Sequence, residues 1–211
     1  MANGSELQAQ GVKLFMQRDY EKAAEIFQQA RDAYLAENKS DLAAEMQVNL
    51  GLVDRSLGNY EPAIAAMTEA RTVFADLHDQ SREAQVIGNL GGVYVSSGNN
   101  EQAMTYYREA ADIFNALGDE ERYGETLLAM VDIYMRSGKI NEARATYQVA
   151  LESIKNLSIQ QRVGKAAIDI INRIFGGGLP PKETVAQPTL PADTTPMEAI
   201  QPPDHPDQSA H

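Results

Sequence analysis

The chain has 211 residues, 43% of them hydrophobic, and a formal net charge of −12 at neutral pH; that is length and apolar mass enough for a folded domain with a sizeable core. The acidity excludes a nucleic-acid backbone or an anionic membrane surface as the main partner, since both would be repelled. With no cysteine, disulfides, thiolate nucleophiles and zinc–thiolate sites are excluded, and a reducing compartment is compatible. The opening MANGSELQAQGVKLF lacks the basic start and unbroken apolar stretch of a signal peptide, and no apolar run approaches the length of a membrane span. A soluble, cytoplasmic chain is expected.

Sliding the sequence against itself by 40 residues brings four segments into register. Gly11, Gly51 and Gly91 align, with Val131 in the fourth place. Gly58, Gly98 and Gly138 align, with Arg18 as the exception. Two alanine columns follow, Ala23, Ala63, Ala103 and Ala143, then Ala30, Ala70, Ala110 and Ala150, with the large residues Phe27, Met67, Tyr107 and Tyr147 between them. No insertion or deletion disturbs the spacing, so one supersecondary unit is stacked on itself four times, over about 4–40, 41–80, 81–120 and 121–157.

Each unit reads as two helices. In the third, Ala84, Ile87, Leu90 and Tyr94 recur every three or four residues, and so do Ala103, Met104, Tyr107, Ala110, Phe114 and Leu117. Gly98 with Asn99 and Asn100 suits the left-handed turn that ends a helix, and Pro62 suits the first turn of the next. Small columns facing large residues are what close helix crossings require, because a larger Cβ would push the axes apart.

Beyond the fourth unit, SIQQRVGKAAIDIINRIF places Ile159, Val163, Ala166, Ala167, Ile170, Ile171 and Ile174 on one side of a helix over about 158–175. Capping the open end of the array is its expected role, since a solenoid's last apolar face must be covered; binding a partner and lying on a membrane are the alternatives. From Gly176 to residue 211 the composition changes. Eight of the nine prolines lie there, and Lys182 stands alone against Glu183, Asp193, Glu198, Asp204 and Asp207, a net −4 that leaves −8 on the rest. Residues 176–211 are expected to be a disordered, Pro-rich acidic tail after a helical domain of residues 1–175.

A small residue, a turn glycine, an alanine, an aromatic and a second alanine, at these spacings and in four registers, resembles the tetratricopeptide repeat from Ser5 to about Leu157. The period is six residues longer than the usual 34 of that family. The extra length falls around FADLHDQSREA and FNALGDEERYGE, where Asp or Ser would cap the following helix. In this it is similar to the long-repeat subtype of kinesin light chains and cell-polarity adaptors. The resemblance implies an all-α solenoid of four helix-turn-helix repeats, with a concave groove lined by the first helix of each unit and used to hold peptides.

Projecting the first helices outward from their packing columns puts Gln8, Val12, Phe15 and Met16 in that groove from the first unit, and Glu45, Val48, Asn49, Leu52, Arg55 and Ser56 from the second. The third supplies Gln85, Asn89, Gly92, Val95 and Ser96, and the fourth Glu125, Leu128, Asp132, Met135 and Arg136. Asn49 and Asn89 share one column. A side-chain amide both donates and accepts, so such a row can pair with a peptide backbone, and in the similar adaptors an asparagine at this point does so. Ala9 and Ala129 fill the column in the outer units.

Catalytic chemistry has little to work with. His78 is the one histidine in the repeats, and no metal-ligand spacing, phosphate-binding glycine loop or nucleophile motif is present. The expectation is a non-enzymatic adaptor or scaffold without cofactor. It would be monomeric alone and would bind a neutral or basic peptide or helical segment of another protein, with no nucleic acid and no membrane. The alternatives are a self-associating structural module and a ligand-sensing regulatory module of a signalling system.

Overall fold

The computed structural model describes residues 3–154. Among them are eight α-helices and no strand: α1 Gly4–Met16, α2 Tyr20–Ala36, α3 Ser40–Leu57, α4 Tyr60–Asp76, α5 Gln80–Ser96, α6 Asn100–Ala116, α7 Glu120–Arg136 and α8 Ile140–Ser153. The helices pair as α1 with α2, α3 with α4, α5 with α6 and α7 with α8. Every helix packs on the next in the chain, and α3 also touches α5. None is long and apolar enough to cross a membrane. The expected capping helix and the tail lie outside the described residues.

The glycine column is conformational. One residue in every turn takes a positive φ, at 20-residue intervals: Arg18 (63°), Asn38 (59°), Gly58 (83°), His78 (55°), Gly98 (83°), Gly118 (70°) and Gly138 (71°). The amide after each reaches back to the last turn of the helix, as in Asn99 N to Tyr94 O at 2.8 Å and Asp119 N to Phe114 O at 2.9 Å, so that carbonyls the helix leaves open are satisfied. Arg18 breaks the glycine pattern yet keeps its backbone shape. Three of the helices that follow, α5, α6 and α7, are then started by a side-chain cap. Asp79, Asn99 and Asp119 each accept from the backbone N–H three residues on, at 2.9, 3.1 and 3.1 Å. Of the two expected cap types Asp is the one used here, and Ser81 lies inside α5.

Two small-against-large columns set the helix spacing. A Cβ on Gly11 would lie 2.6 Å from Phe27, one on Gly51 2.8 Å from Met67 and one on Gly91 2.8 Å from Tyr107, so the two helices of a unit close where only glycine fits. The second column escaped notice in the sequence. Gly4, Ala44, Ala84 and Gly124 stand thirty residues before Tyr34, Phe74, Phe114 and Ile154. A Cβ on Gly4 would lie 2.6 Å from Tyr34, and one on Gly124 2.6 Å from Ile154. Phe27 and Phe74 are each 1% exposed, burial that contributes roughly 1.5–3 kcal/mol per side chain.

Candidate functional site

The first helices α1, α3, α5 and α7 build one face of the array, and two arginines one repeat apart organise it. Arg82, near the start of α5, lies 4.8 Å over the ring of Phe74. It donates to Asp79 at 2.7 Å and reaches back to α3, donating to Asp41 at 3.3 Å and Glu45 at 3.0 Å. Burial works against its charge, but the bonds to Asp79, Glu45 and Asp41 outweigh that and raise its pKa. Asp79 is held below its ordinary value, first by the backbone N–H of Arg82 and then by its guanidinium.

Arg122 repeats this placement at the start of α7. It lies 5.8 Å over Phe114 and donates to Asp119 at 3.0 Å. Reaching back to α5, it meets different partners. Ser81 stands where the previous repeat has Asp41, and Gln85 where it has Glu45. Arg122 Nη1 donates to the Ser81 hydroxyl at 2.8 Å.

Beside it opens a cleft of about 340 Å³ lined by Gln85 and Asn89 of α5, Tyr107 and Phe114 of α6, and Arg122 and Glu125 of α7. Thr126 and the small residues Gly88 and Ala129 complete the walls. Burial pushes the Tyr107 phenol upward, while Arg55 acts in the opposite sense. The cleft therefore offers a cation, a carboxylate, two amides and a tyrosine beside an aromatic wall, a set suited to hydrogen-bonding a polar segment of chain.

Of the residues expected in the groove, Gln8 accepts from the Tyr34 hydroxyl at 2.6 Å and Ser56 donates to the Leu52 carbonyl at 2.8 Å; the rest divide into three groups. Gln85, Asn89 and Glu125, from two successive repeats, meet in the cleft. Met16 is 77% exposed, Met135 53% and Val12 45%. The third group is engaged by the protein itself. Phe15 packs against the first core and sets its ring edge-on to Tyr20 at 5.5 Å. Val48 and Leu52 pack on the second core, Val95 and Leu128 on the third. Glu45 is bound to Arg82, and Asp132 pairs with Arg136 at 2.9 Å. Arg55 crosses from α3 to Ser96 of α5 at 2.8 Å and lies over Gly92. Gly92 is on the first-helix face but covered. Asn49 is half-buried with its amide 4.0 Å from the sulfur of Met46.

Arg82, Arg122, Tyr107 and Phe114 were not among the expected groove residues. The signal was available in the same register: position 42 reads Leu, Arg, Arg across the repeats while position 45 reads Glu, Gln, Glu. Arginines at a helix start read as solvated until their partners on the preceding first helix are known. Among the described residues, no group of three or more His, Cys, Asp or Glu side chains could hold a metal ion.

The model of the family described as SNAP, soluble NSF attachment protein, matches residues 2–166. Two solved structures share the helical-repeat fold. BtubC (BKLC) from P. vanneervenii superposes with a TM-score of 0.65 at 17% identity, over 90% of this chain and 87% of that one. Aspartyl phosphate phosphatase F from Bacillus subtilis superposes with a TM-score of 0.67 at 15% identity, over 83% of this chain and 45% of that one. This chain thus spans less than half of the second protein. No curated protein sequence matches it.

Proposed function

Because the chain belongs to the soluble NSF attachment protein family, we propose that it is a non-enzymatic adaptor or scaffold whose first-helix face holds a peptide or helical segment of another protein. A helical repeat of this kind presents a long, rigid surface for protein contact. The observation that carries the reading is the cleft at α5–α7. There Gln85, Asn89 and Glu125, chosen from sequence as groove residues, converge with Arg122 and Tyr107 around a space of about 340 Å³. The even 20-residue spacing of the turns supports the long form of the tetratricopeptide repeat. With a net charge of −12, the protein attracts a partner segment that is neutral or basic overall. The expected setting is cytoplasmic, and the adaptor is a monomer when alone.

The experiment begins with a pull-down and mass spectrometry to identify the partner segment. Asn49→Ala with Asn89→Ala then weakens its binding by about tenfold or more, since each amide lost from a desolvated peptide backbone costs roughly 1–3 kcal/mol. Asn99 caps α6, so the control is Asn99→Ser, which keeps a capping oxygen and leaves affinity unchanged. Undiminished binding by the double variant, with its helical content intact, would move the site off this face. Light scattering after size exclusion tests the monomer, and a dimer at micromolar concentration would favour the self-associating alternative.

A further inference from the structure

We propose that residues 160–176 dock on the open side of the fourth unit as a fifth first helix in the 40-residue register, with Arg162 bound by Glu121 and Glu125 of α7. The inference goes beyond the peptide-binding reading, because the surface concerned is one that the protein covers with its own chain. The segment lies outside the described residues, yet its sequence keeps the columns. Leu157 follows Leu77 and Leu117, Arg162 follows Arg82 and Arg122, Gly164 follows Ala84 and Gly124, and Gly178 follows Gly98 and Gly138. No residue is inserted or lost at the junction. The second-helix columns then stop: Glu183, Gln187 and Leu190 stand where the fourth unit has Ala143, Tyr147 and Ala150, so the register ends on half a unit.

The fourth unit presents a side suited to that occupant. Arg31 reaches Gln47 of α3 and Arg71 reaches Glu83 of α5, so their column faces the next unit. Leu151 holds that column in α8 and is 2% exposed, although α8 is the last described helix. Leu50, Leu90 and Met130 fill the cores where one unit meets the next, and Ile170 is their counterpart. The interval from Ile154 to Gln160 equals those from Phe74 to Gln80 and from Phe114 to Glu120, where α5 and α7 begin. A generic cap would need only an apolar face; here the columns fix which residues are laid against α7 and α8.

Charge selects the same arrangement. Arg82 crosses to Asp41 and Glu45 of the preceding first helix, and Arg122 crosses to Ser81. One repeat on, the residues in those positions for Arg162 are Glu121 and Glu125. Among the described residues neither is paired with a cation. Ile159 replaces the cap aspartates Asp79 and Asp119, so Arg162 has no carboxylate three residues before it and α7 supplies its two acceptors. Ile154 stands where Phe74 and Phe114 lie beneath the other arginines, an apolar bed for the stem of the side chain. The balance over the chain agrees. Lys155, Arg162, Lys165 and Arg173 against Asp169 give residues 155–175 a net +3, while 13 basic and 24 acidic side chains give residues 1–154 a net −11.

Limited trypsin digestion of the full-length protein, read by mass spectrometry, tests the docking. Lys182, in the proline-rich tail, is the internal reference. Cleavage after Lys165 and Arg173 should be slower than after Lys182 by about tenfold or more, because cutting follows the population of the open form. Arg162→Gln should speed both cuts several-fold, Glu121→Gln with Glu125→Gln should do the same, and the three together should add nothing further. Asp41→Asn with Glu45→Gln strips Arg82 instead and should leave Lys165 protected. Equal rates at Lys165 and Lys182 in the parent would overturn the proposal without requiring any variant to fold, and additive effects of the Arg162 and α7 variants would remove the clamp. Protection that fades on dilution would assign the segment to a second copy. Protection that appears only with vesicles of phosphatidylserine and phosphatidylcholine would assign it to a membrane, and either result overturns docking within the chain. Failure here leaves the groove reading standing, since Asn49 and Asn89 decide that one.

Discussion

Gly91 approaches the ring of Tyr107 so closely that a Cβ on it would lie 2.8 Å away, whereas a Cβ on the adjacent Gly92 would meet the guanidinium end of Arg55 at 2.7 Å. Tyr107 is held between helices, but Arg55 is a flexible side chain reaching across to Ser96. Gly91→Leu is expected to cost roughly 1–3 kcal/mol or more through overpacking. Gly92→Ala should be close to neutral, because helix propensity worth about 1 kcal/mol offsets the displaced Arg55 contact. Urea unfolding of the two variants checks the ordering, and equal midpoints would contradict this assignment of the two faces.

The paired arginines make a second prediction that involves no ligand. Arg82 is bonded to three carboxylates and Arg122 to one. Arg82→Gln leaves Asp41 and Glu45 facing each other without their cation, an expected loss of about 1–2 kcal/mol for partly exposed groups. Arg122→Gln should cost less than half as much. Thermal unfolding at low and high salt reads both, and salt should narrow the gap by screening the charges.

Asp79 carries a pH signature. Its pKa is depressed in the folded protein by the backbone N–H and then the side chain of Arg82, so the stability it contributes is present above the unfolded carboxylate value of about 4 and is lost as pH falls through the lower folded value. Asp79→Ala is expected to destabilise by about 0.5–2 kcal/mol at pH 7, the usual range for a lost cap. The deficit relative to the parent should shrink as pH drops below about 4. A deficit that stays constant from pH 7 to pH 3 would mean that the charge of Asp79 contributes nothing.

The turns offer a stabilising change. Arg18 and His78 hold φ near +60° at the positions where four other turns have glycine, and a side chain in that region costs roughly 1 kcal/mol or more. Arg18→Gly and His78→Gly should each raise stability by up to about 1 kcal/mol, reduced by the entropy glycine adds to the unfolded chain. Gly98→Ala should lower it by a similar amount. The midpoint of thermal unfolding decides the sign in each case.

The repeat itself was legible in the sequence because its determinants are local or periodic. Helix packing at a fixed period places Ala23, Ala63, Ala103 and Ala143 in one column, and left-handed turns place Gly58, Gly98 and Gly138 in another. Each constraint acts within one unit, so it recurs as a residue type at a constant interval. The column of Gly4, Ala44, Ala84 and Gly124 obeys the same rule, but its large partners Tyr34, Phe74, Phe114 and Ile154 lie on the far side of the pair, too distant in sequence to suggest the match.

What only the tertiary structure decided is which side chains are free to meet a partner. Periodicity places Val48, Leu52, Val95 and Leu128 on the same helix faces as Asn89, yet neighbouring units draw these four against the cores. Sequence treats Glu45 and Glu125 as equivalent, while the fold binds Glu45 to Arg82 and sets Glu125 in a cleft. The physical reason lies in the contacts between units. Arg82 and Arg122 reach their partners across about forty residues of chain, so the charge balance at each depends on the preceding repeat, and a substitution there changes the site without disturbing the pattern that builds the fold.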